Sequence, residues 1–312
     1  MGKSTINGLH HVTAICGHPK ANHRFYTGVL GLRLVKRTVN FDDPGTYHLY
    51  YGDGAGSPGT ILTFFPWVGV PRGRKGTGQT VATSLRTGET SLEWWKKRLE
   101  AGSVPVRGPS RRFDESVIEF EDPDGMGLEI VAAPGALPAT AAWTASPIPP
   151  EHQLRGFHAV TLAEAASEST ESVLVGQMGY RLLGEENGRR RFQAPAAPYA
   201  GLVDIHVAPG GTRGTQGIGI VHHIAFRVAD DTAQLGWQEK LADSGLGVSP
   251  VMDRSYFHSI YYREPGGVLF EIATDMPGFA TDEPASSLGE RLMLPAQYEG
   301  RRAQIERDLP TL

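Results

Sequence analysis

Residues 9–16 read LHHVTAIC, and residues 221–228 read VHHIAFRV. A His-His pair therefore heads a short apolar run twice in one chain. A single pair would carry little information, because histidine is tolerated both on surfaces and in cores. Two pairs in the same local setting point to a repeated unit, and a repeat governs every later assignment.

Two more segments begin the same way, TVATSLRT at 80–87 and FHAVTLA at 157–163. Each of the four is followed by a helical stretch that stops at or near a glycine: PKANHRFYTGVLG, TSLEWWKKRLEAG, SESTESVLVGQMG and TAQLGWQEKLADSG. With His11, Ala82, Ala159 and His223 aligned, Gly31, Gly102, Gly179 and Gly245 follow 20, 20, 20 and 22 residues later. Glycine suits the left-handed position that ends many helices. Then come β-rich runs: HLYYGD and TILTFF, SVIEFED and GLEIVA, RRFQA and LVDIHVA, SIYYRE and VLFEIAT. Each unit reads β-α-β-β-β, with modules at about 6–66, 78–133, 156–208 and 218–275.

Gly/Pro-rich joints lie at about 67–78 and 209–217, and the stretch 134–155 carries five prolines. The expected organisation is an N-terminal half (1–135), a Pro/Ala-rich linker (136–155), a C-terminal half (156–280) and a helical tail (281–312). A β-α-β-β-β unit cannot cover its own sheet. Two units side by side make a curved eight-stranded mixed sheet with helices outside and a cup within. The expected fold class is α+β, four tandem modules forming two such cups.

The alignment sorts the polar residues. PDGMGLEIV and PGGVLFEIA place Glu129 and Glu271 each six residues after a proline. Thr63 is the counterpart in the first module, and Asp204 is a candidate counterpart in the third. Histidine at the aligned first-strand position occurs only in modules 1 and 4; His158 matches His10. If modules 1 and 4 share a cup, it holds His11, His223 and Glu271, while the cup of modules 2 and 3 holds carboxylates without a matching histidine. Side chains alternate along a strand. His10 and His222 share faces with the bulky apolar residues that should meet the helices, whereas His11 and His223 share faces with Thr13 and Ala225. The ligands are therefore His11, His223 and Glu271, with His10 and His222 near the rim. Two imidazoles and one carboxylate form the facial triad that suits Fe(II) with open positions; zinc, manganese or nickel can use the same ligands.

Bulk properties narrow the function. A hydrophobic content of 40%, a charged content of 21% and a net charge of −4 describe a globular chain with no general attraction to nucleic acid or membrane. The basic clusters RGRK (72–75) and GRRRF (188–192) are expected as solvated loops. The one cysteine, Cys16, excludes an intrachain disulfide and is expected as a small buried hydrophobe. The start MGKSTINGLHH lacks the apolar core of a signal peptide, and no apolar run approaches membrane-spanning length, so a cytoplasmic location is expected. GAGSPG at 54–59 satisfies G-x-G-x-x-G, but it contains proline and leads into TILTFF instead of a helix, so it is no dinucleotide site. Nothing in the sequence stands against a homo-oligomer.

The stretches GLHHVTAI, DPGTYHLYYGD, VHHIAFRV, DRSYFHSIYYREPGGVLFEIATD and LPAQYEGRRAQIE, in this order, resemble the vicinal oxygen chelate superfamily of glyoxalases, bleomycin-resistance proteins and extradiol dioxygenases. The nearer resemblance is to its four-module ring-cleaving dioxygenases acting on hydroquinones, and it covers nearly the whole chain. The resemblance implies Fe(II) held by His11, His223 and Glu271. It also implies a pocket lined by His10, His222, Arg254 and Tyr261 for a small aromatic substrate and dioxygen. A neutral histidine or a tyrosine network would take the phenol proton, and Arg254 would stabilise the anion. Tyr47, His48, Tyr50 and His258 are further candidates for the substrate wall. The competing activities are a glyoxalase-like isomerase or thiol transferase, for which Thr63 is a poor fourth ligand, and a metal-free protein that sequesters an aromatic drug.

Overall fold

The computed structural model describes residues 5–312; residues 1–4, the start of the MGKSTINGLHH stretch counted in the N-terminal half, lie outside the described residues. LHHVTAIC forms strand β1 (Leu9–Cys16). Its Val12, Ala14 and Cys16 enter the helix-side core, while Thr13 meets Thr63 on the other face. VHHIAFRV forms β13 (Val221–Val228), with Ile224, Phe226 and Val228 in the same core.

These two strands are the antiparallel seam of one eight-stranded sheet. Its order is β14 (Met252–Asp253), β15 (Phe257–Arg263), β16 (Leu269–Pro277), β13, β1, β4 (Ile61–Pro66), β3 (Asp43–Gly52) and β2 (Arg33–Asn40). The second sheet runs β10 (Arg181–Glu186), β11 (Arg189–Gln193), β12 (Leu202–Val207), β9 (Phe157–Glu164), β5 (Gln79–Thr87), β8 (Gly127–Ala132), β7 (Glu115–Glu121) and β6 (Arg107–Arg112). Modules 1 and 4 thus share one sheet and modules 2 and 3 the other. In each sheet the seam is antiparallel while the flanking pairs, such as β1–β4 and β13–β16, are parallel. The fold is α+β with two curled mixed sheets.

The helices follow the repeat with one difference. In modules 1 and 3, α1 (Pro19–His23) and α3 (Glu168–Glu171) widen into π-helical turns at Arg24–Val29 and Ser172–Gln177. In modules 2 and 4, α2 (Leu92–Ala101) and α4 (Asp231–Asp243) stay α-helical. Gly31, Gly179 and Gly245 take φ of +70°, +75° and +84° at the helix ends. At the end of α2 the left-handed residue is Ser103, at φ +58°, one position after Gly102.

The tail ends in α5 (Arg302–Asp308) and crosses back over module 1. There the fully buried Lys36 ammonium lies 2.6 Å from both Asp282 and Glu283, and the Tyr298 hydroxyl donates to the Phe41 carbonyl at 2.7 Å. Among the described residues, no helix is long and apolar enough to cross a membrane.

Candidate metal centre

The β1–β13 register jumps twice. Leu9 faces Phe226 and His11 faces Ala225, so His10 is an extra residue; Thr13 faces His223 and Ala14 faces Val221, so His222 is its counterpart on the other strand. A β-bulge re-aims side chains beside it. Strict alternation separates neighbouring histidines onto opposite faces, but here each pair meets edge to edge. The Nδ1 atoms of His10 and His11 are 2.9 Å apart, and those of His222 and His223 are 2.7 Å apart.

The inner member of each pair points its Nε2 at Glu271. His223 Nε2 lies 3.0 Å and His11 Nε2 3.3 Å from Glu271 Oε2. Among the described residues, His11, His223 and Glu271 form a group whose ligand atoms all lie within 4.8 Å of one another, and all three are buried. The Ser259 hydroxyl donates to Glu271 Oε1, whereas the buried Oε2 has no hydrogen-bond partner. The imidazole nitrogens approach Oε2 without hydrogen-bond alignment, so the three atoms face a common point and not one another. That donor set fits a divalent cation with open coordination positions.

The electrostatics agree with ligand roles. Burial alone would raise the Glu271 carboxyl, but positive charge and N–H donation on the His11 and His223 side hold it well below the usual carboxylate range, a role that a cation at the same point would take over. Burial, with the neighbouring histidine next in weight, lowers His10 well below its ordinary value and His222 to about 3. Burial also lowers His223. These three imidazoles are therefore neutral near pH 7. If Nε2 of each inner histidine keeps its lone pair for a cation, its proton sits on Nδ1 and is donated to the outer histidine. The His10 ring packs edge to face on Phe257, while His222 faces the cavity.

That cavity, of about 320 Å3, opens beside the triad and is walled by Phe65, Trp67, Phe257 and Leu269. Tyr261 and Arg254 stand on one side, where Arg254 Nε–H donates to the Tyr261 hydroxyl at 3.3 Å. Burial and then the Glu271 charge raise Tyr261, so it stays a phenol. His48 and Tyr50 line the opposite side. His48 Nδ1 meets the Tyr50 hydroxyl at 2.8 Å, and its Nε2 meets the Thr63 hydroxyl at 2.7 Å. Both nitrogens are engaged, so His48 offers the cavity its ring and not a free lone pair.

Two expected wall residues lie elsewhere. Tyr47 alternates with His48 along β3 and lines a separate cleft with Arg37, Leu292 and Arg302. His258 alternates with Phe257 and Ser259 along β15, and its Nδ1 meets Asp231 at the start of α4 at 2.6 Å. Both corrections follow from strand parity. GRRRF is likewise no solvated loop: Arg189–Gln193 is strand β11, and Arg191 is buried. Sequence reasoning missed Ser259, although its place two residues before Tyr261 on the same strand face was a usable signal. It also missed Asp42, Phe65 and Trp67, for which no local signal existed.

The matching region of the second sheet has the same bulges, with Val81 and His158 as the extra residues beside Ala82 and Ala159. Its carboxylates are paired with arginines. Arg112 grips Glu129 through both oxygens at 2.8 Å, and Arg191 grips Asp204 at 2.8 and 2.9 Å.

Comparison with known proteins agrees with this architecture. The family model for the Glyoxalase/Bleomycin resistance protein/Dioxygenase superfamily matches residues 8–130. The Bacillus subtilis (strain 168) protein named "Putative ring-cleaving dioxygenase MhqO" is 49% identical over 309 residues, covering 99% of this chain and 97% of that protein. The chain belongs to this superfamily. Another full-length member, "Chlorohydroquinone/hydroquinone 1,2-dioxygenase" of Sphingobium indicum, is 34% identical over 97% of this chain and 96% of its own length. The crystal structure of a "putative dioxygenase" from Bacillus subtilis superposes with a TM-score of 0.94 at 47% identity, covering 99% of this chain and 98% of that one. Within the superfamily, these full-length relatives place the chain among the members named ring-cleaving dioxygenases.

Proposed function

We propose that the protein is an Fe(II)-dependent ring-cleaving dioxygenase of the cytoplasm, acting on hydroquinone- or catechol-type aromatics with dioxygen as co-substrate. The observation that carries this reading is the buried Glu271 Oε2, without a hydrogen-bond partner among the described residues and facing two imidazole nitrogens whose rings line an aromatic-walled cavity. The hydroquinone dioxygenase name of the Sphingobium relative supports the substrate class.

His11, His223 and Glu271 would hold the iron, which when bound supplies a Lewis acid for a ring hydroxyl and a redox centre for dioxygen. The chain's own groups do the rest. Phe65, Trp67 and the His48 ring give flat apolar surfaces against which an aromatic ring packs. His222, whose Nδ1 accepts from His223, presents Nε2–H to the cavity, so in this tautomer it donates to substrate oxygen and does not accept the phenol proton. Tyr261 remains protonated, and the Arg254 guanidinium beside it completes a set of donors that favours a deprotonated ring oxygen; since none of these side chains takes the phenol proton, it would leave to solvent through the cavity mouth. Thr63 does not serve as a fourth ligand: its hydroxyl is bonded to both His48 and Thr13. This disfavours the four-ligand isomerase reading.

Oxygen uptake by anaerobically purified, Fe(II)-reconstituted protein, with a panel of substituted hydroquinones and catechols, tests the proposal. Uptake matched by ring-opened product and abolished in His223→Ala is expected. Undiminished turnover in His223→Ala would refute the assignment, and absence of uptake with every compound despite bound iron would move the reading to an isomerase or transferase.

A further inference from the structure

We propose that Asp42 sets the charge selectivity of the cavity mouth, pairing with Arg254 so that rings bearing an anionic substituent are rejected. The inference rests on the aromatic-substrate reading of the same cavity.

Asn40, the last residue of β2, and Phe41 and Asp42, which lead into β3, form a tip, and all three line the cavity. Two bonds fix the tip. The Asn40 side-chain oxygen accepts the Asp42 N–H at 3.0 Å, and the Phe41 carbonyl accepts the Tyr298 hydroxyl of the C-terminal tail at 2.7 Å. The tip is thereby clamped from its own turn and from the far end of the chain. So held, Asp42 reaches across to module 4, with its Oδ2 3.4 Å from Arg254 Nη1.

The two partners differ in depth. The Asp42 side chain is 70% exposed and that of Arg254 18%. Among the residues lining the cavity, Arg254 is the one arginine or lysine and Asp42 the one carboxylate. Arg254 is also turned inward, with its Nε–H on the Tyr261 hydroxyl and its guanidinium carbon 5.5 Å from the Tyr261 ring centre. A substituent carboxylate entering the mouth therefore meets Asp42 before Arg254, and must displace it to reach the guanidinium. A neutral ring pays no such penalty and slides along Phe65, Trp67 and Leu269. Without Asp42 the mouth would present an uncompensated guanidinium, a ready carboxylate receptor.

The test is equilibrium binding, measured calorimetrically under nitrogen with the full chain loaded with Fe(II). The probes are hydroquinone and 2,5-dihydroxybenzoate, which differ by one ring carboxylate. In Asp42→Asn, affinity for the carboxylated probe relative to hydroquinone should rise by about fivefold, the scale of one exposed charge pair. Asp42→Glu should restore most of the wild-type discrimination, which a role confined to turn geometry would not produce. Wild-type discrimination should also narrow in 1 M salt, where the screening length falls to about 3 Å. An Asp42→Asn ratio equal to wild type, or Asp42→Glu indistinguishable from Asp42→Asn, overturns the proposal. Because binding and not turnover is read, failure of ring cleavage leaves this test intact. Cleavage of hydroquinone with an unchanged ratio defeats this inference alone, and binding of neither probe by the wild type defeats both.

Discussion

Replacing Ser259 by alanine probes the metal centre without touching a ligand. Ser259 is fully buried, and its hydroxyl donates to Glu271 Oε1. The other carboxylate oxygen is already committed to the imidazole side of the site. Removing the hydroxyl takes one small polar atom from the core and leaves Oε1 without its donor. A hydrogen bond to a charged acceptor contributes about 1.5–3 kcal/mol. The stabilisation belongs to the ionised carboxylate, which is the form that binds a cation. Its loss should weaken divalent-metal affinity by roughly 10- to 100-fold, the range seen when groups supporting metal ligands are removed. The sign with pH follows from Glu271, now held well below the usual carboxylate range. Without Ser259 its folded-state pKa rises, so proton competition begins at higher pH and the affinity deficit grows as pH falls. Chelator competition at pH 6 and pH 8 measures both effects. Affinity within about twofold of wild type at both values would refute the account of how Glu271 is held.

Two further predictions concern groups away from the triad. Glu164 is buried, its Oε1 lacks a partner, and burial followed by the Glu264 charge pushes its carboxyl from 4.5 up to about 8. Native Glu164 thus keeps its proton while the unfolded chain loses it, so its contribution is fully present below about pH 4.5 and is lost as pH rises through about 8. Glu164→Gln should remove that decline, with a relative gain at pH 9 over pH 5 on the order of 5 kcal/mol at most; urea midpoints with the same pH dependence in both proteins would contradict it. Arg112→Ala strands the buried Glu129 carboxylate and should cost about 3–5 kcal/mol of unfolding free energy. Metal affinity at the triad, which belongs to the other sheet, should stay unchanged, and a parallel loss of affinity would show the two cups to be coupled.

The triad was legible because it depends on quantities a sequence carries: the repeat offset, the residue type at matched offsets, and the two-residue period of a strand. His11, His223 and Glu271 needed nothing else. The same parity rule, applied to YHLY (47–50) and YFHS (256–259), turns Tyr47 and His258 away from the cup; residue type alone had suggested them. The meeting of His10 with His11 was not legible, because a bulge is a departure from period and appears only in the pairing of two strands 212 residues apart. Asp42 was hidden for a related reason. Its partner Arg254 comes from module 4, and the Tyr298 that holds the neighbouring Phe41 carbonyl comes from the tail; only the closed sheet brings them to one mouth. GRRRF was misjudged because charge density reads as solvation until buried carboxylates are found opposite it.

Those carboxylates explain why four related modules give one candidate site and not two. Thr63, Glu129, Asp204 and Glu271 pair with Thr13, Ser84, Thr161 and Ala225, each two residues beyond His11, Ala82, Ala159 and His223. Every cup therefore has two positions for imidazole and two for carboxylate. The first cup fills them with two histidines, one glutamate and a threonine whose hydroxyl is taken by His48 and Thr13. That leaves three ligands and an open side. The second has two alanines and two acids, Glu129 and Asp204, both buried. Buried carboxylates without compensating charge are too costly to keep ionised. With alanine and not histidine at the two aligned positions, the compensation has to come from other side chains. Arg112, Arg189 and Arg191 supply it, reaching the two acids from the flanking strands or their edges. The basic run on β11 and the missing histidines are then one fact: guanidinium charge compensates the acids of the second cup, as a metal would compensate Glu271 in the first.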